Sequence, residues 1–349
     1  MSDKASLSDI IVHRHLRRFW SFAIGGSAAV RYHSRVIRAE PILLEPPRAP
    51  FWARPKGSWR DVSEAEPLYF AGAALCALDA VVRSDSPYAG AWRRRLALKS
   101  AAAVVQTLLN RREDEAALRD AVALSKPGHE HGPAGKVYCA FRALVEPGNP
   151  FRPERLVGVA ADLMAPLDSD RAGDLAAALE DSGARGRPAP IAAAAAAEAA
   201  VRFRPDAEPL ALWAADAALA RSLNWPVPVP LLAGEILRRS SGEGRRPRPG
   251  EAGWTKAAAL AYARAALAAL DLAHDLARRA ARLIEAAPKL RAKAKSRAIE
   301  ALLADDAVSA VAAIPGLSDR ARRRLFERLV RLSAARELTG RAAFRLYGL

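Results

Sequence analysis

At 349 residues the chain is long enough for two or three domains and a full hydrophobic core. Apolar residues make up 51% but aromatics only 6%, and Ala dominates, which favours close-packed helices over sheet. The 54 basic residues outnumber the 38 acidic ones for a formal net charge of +16, which suits a polyanionic partner but also suits a merely Arg/Ala-rich composition. Strand-type clusters of β-branched and aromatic residues are scarce before the C-terminus, so the expected class is all-α, a multi-helix array with a small mixed tail. Cys76 and Cys139 sit in apolar helical contexts and give neither a disulfide framework nor a metal spacing, which points to a reduced, cytoplasmic setting. Phe19 to Val30 follows Arg17-Arg18 and imitates a signal peptide, but it lies late and is short for a span, so no membrane partner is expected.

Residues 1–63 read as an irregular basic and Pro-rich arm. A helix over Leu7 to Tyr32 is followed by a tract holding Pro41, Pro46, Pro47, Pro50, Pro55 and Pro67, where Trp52 and Trp59 should pin the strap onto a domain surface. Residues 64–183 form an N-terminal helical region, with helices over Leu68–Val82, Tyr88–Leu109, Arg112–Leu124, Gly135–Val145, Pro153–Met164 and Ser169–Asp181. The Gly/Arg/Pro stretch at 183–190 marks a joint. Residues 191–288 continue the array through Ile191–Val201, Leu210–Leu223, Leu231–Arg239 and the long Thr255–Ala287, which Pro288 stops. A face of nearly pure Ala lets helices approach closely and belongs to a core.

Residues 289–349 carry the strongest functional signal, the pattern of a winged helix-turn-helix. Ile299–Leu303 and Ala307–Ile314 read as short helices, and Pro315-Gly316 as a turn. Ser318 reads as the N-cap of a second helix with Asp319 in its first turn. Leu325, Phe326, Leu329, Val330 and Leu332 form its inward stripe, leaving Arg320, Arg323, Arg324, Arg328 and Arg331 for a groove. Arg336 to Thr339 and Phe344 to Tyr347 can pair as a hairpin around Gly340, with Arg341 at a wing tip that meets phosphate. Lys293 and Lys295, in a run with Lys289, Arg291 and Arg297, would extend that surface. The alternative is that the module packs on the long helix or binds protein.

Two resemblances follow from particular stretches. Arg112-Glu-Asp-Glu-Ala-Ala-Leu-Arg-Asp-Ala, Gly132-Pro-Ala-Gly, Trp225-Pro-Val-Pro-Val-Pro-Leu-Leu, Pro288-Lys-Leu-Arg-Ala-Lys and the closing Arg-Glu-Leu-Thr-Gly-Arg resemble a bacterial family of unknown function, number 1403. From about Ile191 onward the helix pair, the long helix and the closing module look like the C-terminal half of Fic proteins, which transfer a nucleotide monophosphate to a hydroxyl side chain. That likeness lacks its chemistry: where Fic proteins carry His-Pro-Phe-x-(Asp/Glu)-Gly-Asn-Gly-Arg, this chain has Arg202-Phe-Arg-Pro-Asp-Ala-Glu-Pro-Leu. Only Asp206 matches a metal-binding acid, and no catalytic residue is carried over.

Outside the C-terminus, Glu113, Asp114, Arg119 and His129 are where a polar site would lie, on a mixed-charge helix and the loop after it. Glu115–Arg119 and Arg112–Glu115 spacing equally suits ion pairs on a solvated face. No Gly-rich phosphate loop, nucleophile elbow or Cys–His arrangement occurs, so no cofactor, metal or catalytic residue is expected. The sequence thus reads as a non-catalytic, nucleic-acid-binding regulatory or accessory protein. A degenerate or divergent Fic-like nucleotide-handling enzyme with a cavity near 112–131 is one alternative; the other is an interaction scaffold that meets a protein partner or a second copy of itself.

Overall fold

The computed structural model describes residues 45–349 except 65, 126, 127, 129, 183–185, 239–244, 291–294, 311–314, 316, 342 and 343. The expected helix at Leu7–Tyr32, and the candidates His129 and Lys293, lie outside the described residues. Residues 45–349 form one compact unit. Its helices are α1 (Glu66–Arg83), α2 (Ala89–Thr107), α3 (Glu115–Ala123), α4 (Pro133–Leu144), α5 (Pro153–Asp162) and α6 (Ser169–Ser182), then α7 (Ala189–Phe203), α8 (Glu208–Ser222), α9 (Leu232–Ile236), α10 (Trp254–Ala286), α11 (Lys295–Ala304) and α12 (Asp319–Arg331). Three short strands complete it: β1 (Val308–Ser309), β2 (Arg336–Glu337) and β3 (Leu346–Gly348).

The array is organised around two helices. α8 is buried on every side from Glu208 to Ala220, the reason its apolar residues show no single face. The Ala run of α7 packs against it, because methyl side chains keep the two backbones close. α10, 33 residues and therefore about 50 Å long, lies along α1, whose Phe70, Ala74, Leu78 and Val81 recur at helical spacing on the shared side. Three indoles tie the Ala-rich helices to one another through main-chain carbonyls: Trp92 to Ala269, Trp213 to Ala140 and Trp254 to Ala194, at 2.9, 3.0 and 3.1 Å. The strap ahead of α1 is fastened where the Pro-rich tract led one to expect, with Trp59 edge-on to Phe70 at 5.6 Å.

One of the two buried acids of α8 has a structural task. Asp216 is wholly buried and accepts from the amides of Leu231 and Leu232 at 2.9 and 3.1 Å, so it caps the start of α9 after the Trp-Pro-Val-Pro-Val-Pro turn. Burial pushes its carboxyl up to about 7 against the pull of those two amides and of Tyr262.

After α10 the chain forms α11, then a three-stranded antiparallel sheet of order β1-β3-β2 with α12 between β1 and β2. Val308 pairs with Tyr347 and Ser309 with Leu346, while Arg336 pairs with Gly348 and Glu337 with Tyr347. β2 and β3 pair as the sequence led one to expect, but β2 is only Arg336–Glu337 and β3 starts at Leu346 and runs to Gly348, leaving Phe344 outside it with φ 56°. The segment expected as a helix from Ala307 begins instead as strand β1, because Val308 and Ser309 pair with the last strand of the chain and the Ala310 amide donates to the Arg345 carbonyl at 3.0 Å.

Candidate nucleic-acid interface

α12 starts as its sequence dictates: the Ser318 side chain accepts from the Ala321 amide, and Asp319 faces the positive helix end. Leu325, Phe326 and Leu329 are buried, and the Phe326 ring stacks on Tyr347 of β3 at 4.6 Å and 7°. Val330, expected inward, is 37% exposed, since it lies a quarter-turn off the stripe set by Leu325 and Leu329.

Arg320, Arg323, Arg324, Arg328 and Arg331 are all exposed, and among the described residues none of the five makes an ion pair. Arg322 behaves differently. It is buried, donates to the Ala310 carbonyl at 3.0 Å and pairs with Asp319 at 2.6 Å, locking the start of α12 to the end of β1. Its position three and four residues before Leu325 and Phe326 is the signal that could have revealed it.

Arg341 reaches Asp120 of α3 at 2.9 Å, so the turn between β2 and β3 is tied back to the helical array. Lys295 donates to the Leu290 carbonyl at 3.0 Å. Each of the two already has a partner.

The polar residues of the 112–131 stretch are drawn into separate tasks. Glu113 pairs with Arg111, which holds its carboxyl below the ordinary range. Asp114 caps α3 by accepting from the Ala117 amide at 2.8 Å. Arg119 donates to Asp306 at 2.6 Å. Asp114, Glu115 and Arg119 do line an open cleft of about 890 Å³ together with Lys99, Asn110 and Arg238. In the turn between α7 and α8, Asp206 is bonded by Arg204, which holds its carboxyl low. Among the described residues no group of three or more His, Cys, Asp or Glu is placed to hold a metal ion.

What joins the C-terminal module to the array is a pair of acids that sequence reasoning passed over. Asp305 and Asp306 stand in the link between α11 and β1. Asp306 is 1% exposed and pairs with both Arg95 of α2 and Arg119 of α3. Asp305 takes Arg142 of α4 in a two-point contact at 2.9 and 2.7 Å. Burial works against the Arg142 charge, but Asp305 and the Tyr138 hydroxyl outweigh it and raise its pKa above the usual arginine value. Two close approaches frame the link: a Cβ on Gly90 would fall 2.5 Å from the Ala304 carbonyl oxygen, and one on Gly348 would fall 2.5 Å from that of Asp306. The partners are 163 to 211 residues apart, beyond the reach of any local pattern.

These features define an all-α protein whose last segment, a small antiparallel sheet backed by an arginine-covered helix, is fixed to the array by buried ion pairs. The chain belongs to the family described as Protein of unknown function (DUF1403), whose model matches residues 41–349. No curated protein and no solved structure matches it. Among the described residues no helix is long and apolar enough to cross a membrane.

Proposed function

We propose that this is a non-catalytic nucleic-acid-binding protein of regulatory or accessory type, with α12 as the recognition helix of a winged helix. The observation that carries the reading is the division of labour among the C-terminal arginines. Arg322 and Arg341 are tied to carboxylates, while Arg320, Arg323, Arg324, Arg328 and Arg331 stand exposed together. An array of unpaired guanidiniums on one helix repels itself and gains most from phosphate, whose counterions it releases. The strand order β1-β3-β2 behind α12 supports the winged form, with Arg341 a weaker contact because Asp120 competes for it. The test is anisotropy of a labelled duplex and a labelled single strand, titrated with salt, for wild type and Arg323→Ala/Arg324→Ala. The double variant should bind more weakly, with the slope of log K against log salt reduced by about 1 to 2. A wild-type protein with no salt-sensitive affinity for either strand form sinks the proposal.

The cleft between α2, α3 and α9 favours one other reading, a degenerate or divergent Fic-like protein that holds a nucleotide. Its volume of about 890 Å³ suits such a ligand, and its walls carry both charges. A thermal-shift screen with nucleotides and divalent metals separates the two readings, since only this one expects stabilisation by a small ligand in the cleft.

A further inference from the structure

A second cationic feature lies away from the α12 face, where β2 begins beside α10. There a cavity of about 130 Å³ opens, well above the ~10–15 Å³ that one water requires. Arg278, Arg279 and Arg282 of α10 and Arg336 of β2 line it, with Asp275 as their carboxylate. Asp275 is already engaged: it accepts from Arg278 at 3.2 Å and from Arg279 at 2.7 Å. Among the described residues Arg282 and Arg336 have no ion pair. Four guanidiniums thus face one acidic side chain, with Leu349, the last residue of the sequence, also on the wall. Burial, then the neighbouring Arg279, Arg95 and Arg282, disfavour the Arg336 charge and lower its pKa, opposed only by Asp275.

An arginine does not relieve such crowding by losing its proton, because its pKa stays far above physiological pH. Arg282 and Arg336 are exposed, so water screens part of this repulsion, and a bound anion would relieve more of it. Rigid, planar N–H forks approaching from two elements match the oxygens of a phosphoryl group, and the cavity is far smaller than the 300–1,000 Å³ typical of drug-sized ligand sites. We infer that Arg279 and Arg282 of α10, together with Arg336 of β2, form a phosphoryl-binding site at the junction of the small sheet and the long helix. It shares no residue with the exposed face of α12, so the two can succeed or fail separately.

Calorimetric titration of the full chain with inorganic phosphate tests this, at constant ionic strength with acetate as the control anion. Wild type should bind phosphate saturably and acetate not measurably. Arg282→Gln, a change at an exposed and unpaired side chain, should weaken phosphate binding about tenfold or more, as should Arg336→Gln. Arg323→Ala/Arg324→Ala should leave it unchanged. Undiminished phosphate affinity in Arg282→Gln overturns the assignment, as does equal binding of acetate or no binding of phosphate by the wild type. A competition arm identifies the source of the group: displacement of a bound duplex by phosphate marks a backbone phosphodiester, whereas tighter binding of a nucleotide without displacement marks a free phosphate ester. Either pattern supports the site.

Discussion

Replacing Asp306 by Ala removes the carboxylate that Arg95 and Arg119 share. Those guanidiniums are 15% and 11% exposed, so water can replace little of what they lose, and they are left facing each other. Breaking a buried pair in this one-sided way costs about 3–5 kcal/mol. For a unit of roughly 300 residues the unfolding entropy is ~0.6 kcal/mol/K near the melting temperature, which converts that loss to a fall in Tm of about 5–8 °C. Thermal unfolding followed by circular dichroism reads it directly. Arg95→Met and Arg119→Met should each cost less than Asp306→Ala, because Asp306 keeps one cation in either case. The three changes together should be far from additive, since replacing all the charges leaves none buried alone. A loss below about 1 kcal/mol for Asp306→Ala, or additivity across the set, would show that Asp306 does not hold the module to the array.

Gly348→Ala should destabilise by about 1–3 kcal/mol, because the new methyl would meet the Asp306 carbonyl oxygen at 2.5 Å; a neutral result in chemical denaturation would mean that β3 can shift without cost. Asp216 makes a pH prediction whose sign is fixed by its raised pKa. Between its ordinary 3.8 and about 7 the unfolded chain ionises while the folded one stays protonated, so this group lowers stability as pH rises through that window. Asp216→Asn should therefore gain on wild type from pH 4 to pH 8 in denaturant midpoints, and parallel curves would contradict the argument. Arg341→Ala should cost at most about 1 kcal/mol of stability, as its pair with Asp120 is 60% exposed on the arginine side, and should reduce nucleic-acid affinity less than Arg323→Ala/Arg324→Ala does.

The helices were readable because most of them are written locally. Pro133 and Pro153 open α4 and α5, Pro288 closes the long run of α10, and Ser318 caps α12. Strand β1 was not readable: two residues in an Ala-rich stretch carry no strand signature, and their partner lies some forty residues on. The same limit hid the Asp305–Asp306 link, whose arginines come from three other helices. Arg322 was hidden for a different reason. It sits among Arg320, Arg323 and Arg324, where charge patterning implies a solvated face, and only its alignment with Leu325 and Phe326 sets it apart. The polar stretch at 112–131 reads as one cluster because its charges are adjacent in sequence, whereas Glu113 ahead of α3, Asp114 at its cap and Arg119 within it meet different partners.

The indole bonds bear on how such a chain finds one structure. Helices faced with methyl groups can slide by a turn, or rotate by one residue, and present almost the same surface, so an Ala-on-Ala contact distinguishes poorly between neighbouring alignments. A single large ring whose N–H must meet one particular carbonyl removes that degeneracy, since a shift of one turn carries the acceptor about 5 Å away and leaves a buried donor unmatched. Trp92, Trp213 and Trp254 thus act as three keys cut to different locks. Losing one should yield a protein that is still helical and compact but settles into several alignments rather than one.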